Sequence, residues 1–179
     1  IMAQADGVWA MGGQGKLIGG AQYTFQNPLK DGGNADPAKT YFDPGEQSQI
    51  ISLRAGYQYK QSTIRLNATR ITADGRFLMP REWGREPFYT FLPRERNEGS
   101  GDVKAISINL LHDIPKSRVK MELSYGFYDM PDVKNFRLNK YQIPSYHQLN
   151  ADIKYSFNGF MKGLNAEVLY VYKKGAGET

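Results

Sequence analysis

The chain contains no cysteine in its 179 residues, which removes a disulfide framework, a thiol nucleophile and a thiolate metal site. Histidine is nearly absent as well. His112 and His147 are the only two, with no third nearby to complete a zinc site. Neither a GxSxG elbow nor an HExxH pair occurs, and Lys16 in GGQGKL is not followed by the Ser or Thr of a phosphate loop. Charge of one sign is also scarce. Lys and Arg total 23 against 18 Asp and Glu, a net of +5, well below a nucleic-acid signature. No apolar run reaches 18 residues, so no transmembrane helix is encoded. Strands that span a membrane are untouched by this test, because they hide in alternation. The mean hydropathy of −0.57 does not separate a soluble barrel from a membrane one.

Glycine (19 residues) and tyrosine (12) are plentiful, and apolar residues recur with period 2. The period predicts strands at about 16–26, 49–60, 63–70, 103–111, 118–128, 147–157 and 164–173. In 118–128, Val119, Met121, Leu123, Tyr125 and Phe127 oppose Arg118, Lys120, Glu122, Ser124 and Gly126. In 147–157, Leu149, Ala151, Ile153, Tyr155 and Phe157 oppose Gln148, Asn150, Asp152, Lys154 and Ser156. A weaker eighth segment, Gly7 to Gly13, is diluted by glycine. The connections alternate in length: short at 60–62, 112–117 and 158–163, long at about 27–48, 70–101 and 129–146. Tight turns join antiparallel strands into hairpins.

The fold class expected is all-β: one antiparallel transmembrane β-barrel segment of 7–8 strands over residues 1–179, with short turns on one side and long loops on the other. Tyr and Phe close the apolar faces toward both rims, as two aromatic girdles require. A soluble barrel or sandwich fits the alternation equally well. The direction of the apolar face decides between them. In a membrane barrel the polar face points inward. That places Arg54, Lys60, Arg65, Arg118, Lys120, Lys154 and Lys173 against Glu122, Asp152 and Glu167, a basic wall. Arg54, Arg65, Arg118, Lys120 and Lys154 are the candidate pore-lining residues. They would offer a carboxylate solute successive weak sites.

The 70–101 connection is too long for a passive loop. Its arginines Arg81, Arg85, Arg94 and Arg96 would narrow a channel if it folds inward; the alternative is a cap with internally paired charges. Glu82 and Glu86 could be offered as a glycosidase pair, but each sits beside an arginine. Asp31, Asn34 and Asp36 do not match a calcium loop. No catalytic residue, metal site, cofactor or nucleic-acid partner is expected.

The run GRFLMPREWGREPFYTFLPRERNEG, with the later PDVKNFRLNKYQIPSYHQLNADIKY and GFMKGLNAEVLYVYK, resembles the OprD family of outer-membrane porins, in a Bacteroidota-type version. The resemblance covers most of the chain and is strongest over 75–173. It implies an eighteen-stranded barrel in the cell outer membrane, with outer-membrane lipid or lipopolysaccharide around it. It also implies passage of small solutes such as amino acids or other carboxylates, an arginine ladder to which Arg54 and Arg65 could belong, and a homotrimer. Seven or eight strands are too few for that barrel, so the expectation is a piece of a longer one. An isolated eight-stranded barrel is the second architecture. A structural or adhesion barrel without transport, and a soluble barrel binding a small hydrophobic ligand, are the alternative functions.

Overall fold

The structure, a computed structural model, describes residues 1–30, 32, 36, 42–79 and 86–176. Eight strands form one antiparallel meander: β1 Met2–Met11, β2 Gly15–Gln26, β3 Ser48–Tyr59, β4 Ser62–Ile71, β5 Lys104–Ile114, β6 Val119–Asp129, β7 Tyr146–Ser156 and β8 Asn165–Gly175. Sequence neighbours are sheet neighbours throughout, from β1 to β8. Among the described residues β1 and β8 each pair on one side only, so the sheet does not close on itself. Short turns lie between β1 and β2, β3 and β4, β5 and β6, and β7 and β8; the other three connections are long. The tight turns need left-handed backbone, which Gly13 (φ 78°) and Gly163 (φ 101°) supply without a side-chain clash.

β1 starts before the diluted segment and ends inside it at Met11, with Gly12 and Gly13 in the turn, and its own glycine has a packing reason. A Cβ at Gly7 would meet the Trp9 ring at 2.6 Å, and one at Gly19 would meet it at 2.9 Å. The glycines make room for an indole lying flat on the outer face of the first hairpin. They weaken the alternation while serving the strand.

The polarity of the two faces is inverted relative to a water-soluble sheet. Leu123 is 46% exposed and Ile153 45%, whereas Ser52 and Gln148 are 0% exposed. Leu17, Leu53, Leu66, Ile106 and Val168 join the exposed apolar set, and Gln22, Asn67, Ser107, Ser124 and Asn150 join the buried polar set. In water this arrangement would leave hydrophobic area unburied over a whole face.

Exposed rings flank that face. Tyr23 pairs with Ile51, and Tyr57 lies six residues farther along β3; Tyr125 pairs with Leu149, and Tyr155 lies six residues farther along β7. The outer pairs repeat the match. Phe25 sits opposite Gln49, ten residues from Tyr59, and Phe127 opposite His147, ten residues from Phe157. Ten residues of strand span about 33 Å, which is ~25 Å of height at a barrel tilt near 40°, the thickness of an outer-membrane apolar band.

Among the described residues, the apolar core lies on the inner face at the long-loop end. Ile50, Ile71, Phe77, Phe88, Val103, Tyr128 and Tyr146 pack there, with the Phe77 and Phe88 rings 4.7 Å apart.

Candidate functional site

The connection between β4 and β5 does not project away from the sheet. Its stretch 86–94 lies as a strap across the inner face and takes anchors from nearly every strand. At the β1 end the Tyr89 hydroxyl donates to Asp6 Oδ1 at 2.6 Å. On β2, Gln22 Nε2 donates to the Pro87 carbonyl at 2.9 Å. On β3 and β4, the Tyr89 N–H donates to Ser52 Oγ (3.1 Å), Ser52 Oγ and Thr69 Oγ1 share a 2.8 Å bond, and the Thr90 hydroxyl donates to Thr69. On β6, the Tyr128 hydroxyl donates to the Thr90 carbonyl at 2.8 Å. On β7, Gln148 and Asn150 both donate to the Pro93 carbonyl, at 2.8 and 3.0 Å. On β8, the Lys173 ammonium donates to the Arg94 carbonyl. The proline-interrupted strap has few ladder bonds of its own, so sheet side chains satisfy its backbone instead.

Two glycine positions set how closely chain segments approach. A Cβ at Gly20 would lie 2.5 Å from the Tyr89 hydroxyl oxygen and 2.6 Å from Asp6 Oδ1. A Cβ at Gly126 would lie 2.7 Å from the Tyr128 ring. Burial pushes the Tyr89 phenol up to about 12, and its bond to Asp6 adds to the shift.

The long connection between β6 and β7 holds the segment that follows the strap. The Gly101 N–H donates to the Leu138 carbonyl (2.8 Å) and the Lys140 N–H to the Gly99 carbonyl (3.0 Å). Arg137 reaches the first long connection through Glu46 at 2.7 Å.

Beyond the strap, toward the short turns, the inner face is a polar wall. Arg54 Nε donates to Asn67 Oδ1 (3.0 Å), Asn67 Nδ2 to Asn109 Oδ1 (2.7 Å), and Asn109 Nδ2 to Ser124 Oγ (2.7 Å). This belt crosses β3 to β6. Arg54 also stacks on the Tyr89 ring, with its guanidinium carbon 4.1 Å from the centroid. Arg65 sits one row closer to the short turns, and its buried Nε has no partner. A concavity of about 460 Å³ beside it is lined by Lys60, Arg65, Lys120, Glu122, Asp152 and Lys154 among others. The larger hollow, about 730 Å³, is mostly a furrow between Leu53, Leu66, Ile106, Ile108 and Tyr125. Those side chains belong to the exposed apolar face, so it is not a polar solute site.

Comparison with known proteins returns one fold. No family model matches the chain, and no curated protein matches it. The crystal structure of Pseudomonas aeruginosa OccK8 (OprE) matches with a TM-score of 0.73 at 14% sequence identity, over 97% of this chain and 47% of that one. The fold resembles that of OccK8 (OprE). This chain spans about half the length of that solved protein. The likeness to OccK8 (OprE) extends over nearly all of the eight-stranded antiparallel sheet described above.

The residues singled out in the sequence fall into several groups. Arg54, Arg65, Lys120 and Lys154 share the inner face. Arg118 does not. It belongs to the β5–β6 turn, exposed and with φ 60°, because the hairpin needs left-handed residues there. Arg81 and Arg85 lie outside the described residues, as do Glu82, Asp31 and Asn34. Arg94 is on the strap, exposed with φ 73°. Arg96 turns to the neighbouring loop, bonded to Glu98 at 2.8 Å and stacked 3.6 Å from the Tyr141 centroid.

The wall is also less basic than the alternation implied. The strands carry six inner-face bases (Lys16, Arg54, Arg65, Lys120, Lys154, Lys173) and five acids (Asp6, Asp113, Glu122, Asp152, Glu167). Lys154 pairs with Asp152 (3.0 Å) and Glu167 (3.3 Å), and Lys120 with Asp113 (3.7 Å). Asp6 and Asp113 were missed because β1 alternates weakly and β5 runs on to Ile114. Among the described residues, no group of three or more His, Asp or Glu is arranged to hold a metal.

Proposed function

We propose that this chain is part of the wall of an OprD-type outer-membrane porin that passes small anionic or carboxylate-bearing solutes by diffusion. The observation that carries the reading is the inverted polarity of the sheet combined with the inner strap. An apolar outer face between two aromatic rims suits hydrocarbon. A polar inner face crossed by a hydrogen-bonded segment suits a wet, narrowed lumen. Unpaired edges do not persist in hydrocarbon, so further strands complete the barrel along β1 and β8. The similarity to OccK8 (OprE) over half of that protein's length supports the same architecture. The Bacteroidota-type version rests on the sequence resemblance alone. The surrounding partners on this reading are outer-membrane lipid or lipopolysaccharide, and the assembly is a homotrimer.

In this reading Arg54 and Arg65 carry the solute preference. Lys120 and Lys154 are offset by acids on neighbouring strands. Arg65 combines a buried, unpartnered Nε with a place on the wall beyond the strap. It is the guanidinium best able to form charge-assisted bonds with a passing carboxylate. Lys120 and Lys154 form a paired, weaker field toward the short turns. Arg94 borders the constriction, and Arg118, in its turn, stands at the mouth.

Planar-bilayer recording of the full-length protein tests this. A salt gradient should give a reversal potential showing anion preference, and Arg65→Ala should reduce that preference with a measurable change in conductance. Absence of conductance in the native protein removes the porin reading. Native conductance unaltered by Arg65→Ala removes the role of Arg65.

A further inference from the structure

The strap and the turn that follows it carry a group of polar atoms that the wall does not use. Glu95 is buried, and neither of its carboxylate oxygens has a hydrogen-bond partner. Glu86 Oε1 accepts the N–H groups of Asn97 (2.8 Å) and Glu98 (2.7 Å), while its Oε2 is buried and unpartnered. Asn97 is fully buried, and both atoms of its side-chain amide are unpartnered. That amide lies against the Glu86 carboxyl, and the Glu95 carboxyl feels the charge of Glu86. Lys173, whose charge Glu95 feels, donates a hydrogen bond from its ammonium to the Arg94 carbonyl.

Two carboxylates and an amide buried together without compensation are costly. The donor set consists of hard oxygens: Glu95 Oε1 and Oε2, Glu86 Oε2 and Asn97 Oδ1. Such oxygens suit calcium-like ions, and there is no thiolate or imidazole to favour a softer metal. We propose that Glu86, Glu95 and Asn97 form a binding site for a hard divalent cation of the calcium type, enclosed by the strap and the turn that follows it and separate from the solute path. The cation supplies the positive charge that the cluster lacks. It ties the strap's first residue to the turn that follows the strap, fixing the segment that crosses the sheet. This inference goes beyond the porin reading and stands whether or not solutes pass.

Terbium(III) is the probe. Tyr128 and Tyr146 are stacked 4.8 Å apart and feel the charge of Glu95, so they are placed to sensitise a lanthanide at the site. The full-length protein in detergent, stripped with a chelator, is titrated with terbium under tyrosine excitation. Saturable green emission that calcium reverses is expected. Glu95→Gln should weaken terbium binding by about tenfold or more, and Asn97→Asp, which adds a ligand charge, should tighten it. Glu122→Gln on the inner wall is the control and should leave the emission intact. No emission from the native protein overturns the proposal and leaves a protonated carboxyl pair in its place. So does emission unchanged in Glu95→Gln and Asn97→Asp, which would put the ion on other acids. Circular dichroism confirms that each variant keeps its strands, and the gain expected from Asn97→Asp keeps the test decisive if Glu95→Gln misfolds.

Discussion

Replacing Gly20 with alanine should unlatch the strap at its β1 end. The added Cβ would stand 2.5 Å from the Tyr89 hydroxyl oxygen and 2.6 Å from Asp6 Oδ1, where ordinary contact needs about 3.5 Å. Both crowded atoms belong to one hydrogen bond, 2.6 Å long, so relief of the clash separates them. A hydrogen bond to a charged group contributes about 1.5–3 kcal/mol. Loss of about 2 kcal/mol from the local closing energy raises the open population by about 30-fold. The assay is amide hydrogen exchange over 86–94 in the full-length protein in detergent. Protection at Tyr89, whose N–H is held by Ser52, should fall by about that factor. Tyr89→Phe removes the same bond and should give a similar loss. The double variant should then be clearly less than additive. Unchanged protection in Gly20→Ala, or full additivity with Tyr89→Phe, refutes the latch.

Three further outcomes follow from the same geometry. Leu123→Arg, on the outer face midway between the rims, should cost about 2–4 kcal/mol in denaturant titrations from lipid vesicles; a cost near zero would mean that this face meets water. Tyr89 titrates near 12 in the folded chain against an ordinary 10.0. Its contribution is therefore complete below pH 10 and lost as pH rises through about 12, so strap protection should fall in that window, and an absorbance titration should show one late tyrosinate fewer in Tyr89→Phe. Burial raises the carboxyls of Glu86 and Glu95 above their ordinary 4.5. In chelator their protonated forms stabilise the fold at low pH, and that stability is lost as pH rises through the raised values. Strap protection should therefore increase on acidification, and a flat profile in chelator would contradict the burial of these groups.

Much of the sheet is legible in the sequence because each strand has one apolar face. A strict period of 2 marks β6 and β7 so clearly that Leu123 and Ile153 can be assigned a common face. Which face met water was not legible, since alternation is symmetric under exchange of inside and outside. The strap was legible only as length and composition. Its path depends on Gln22, Ser52, Thr69, Gln148 and Asn150 accepting or donating to a segment far away in sequence, and each of these looks in the sequence like any other polar wall residue. Arg118 was misplaced because turn and strand polarity coincide at a hairpin end. Glu86 was visible only as the neighbour of an arginine, and Glu95 as one of several acids balancing the loop's arginines. Their burial depends on Tyr128 and Tyr146 arriving from another part of the chain.

The reach of the strap has a consequence for the order of assembly. Tyr89 finds Asp6 across 83 residues, and Arg94 finds Lys173 across 79. The first strand and the last must both be in position before the segment between them can dock, and contacts of such separation form late. A slip of one residue in any strand would turn its polar side chain to the opposite face and leave a gap in the row of receptors. The segment therefore inspects the eight strands it crosses, and only a correctly threaded set receives its crossbar.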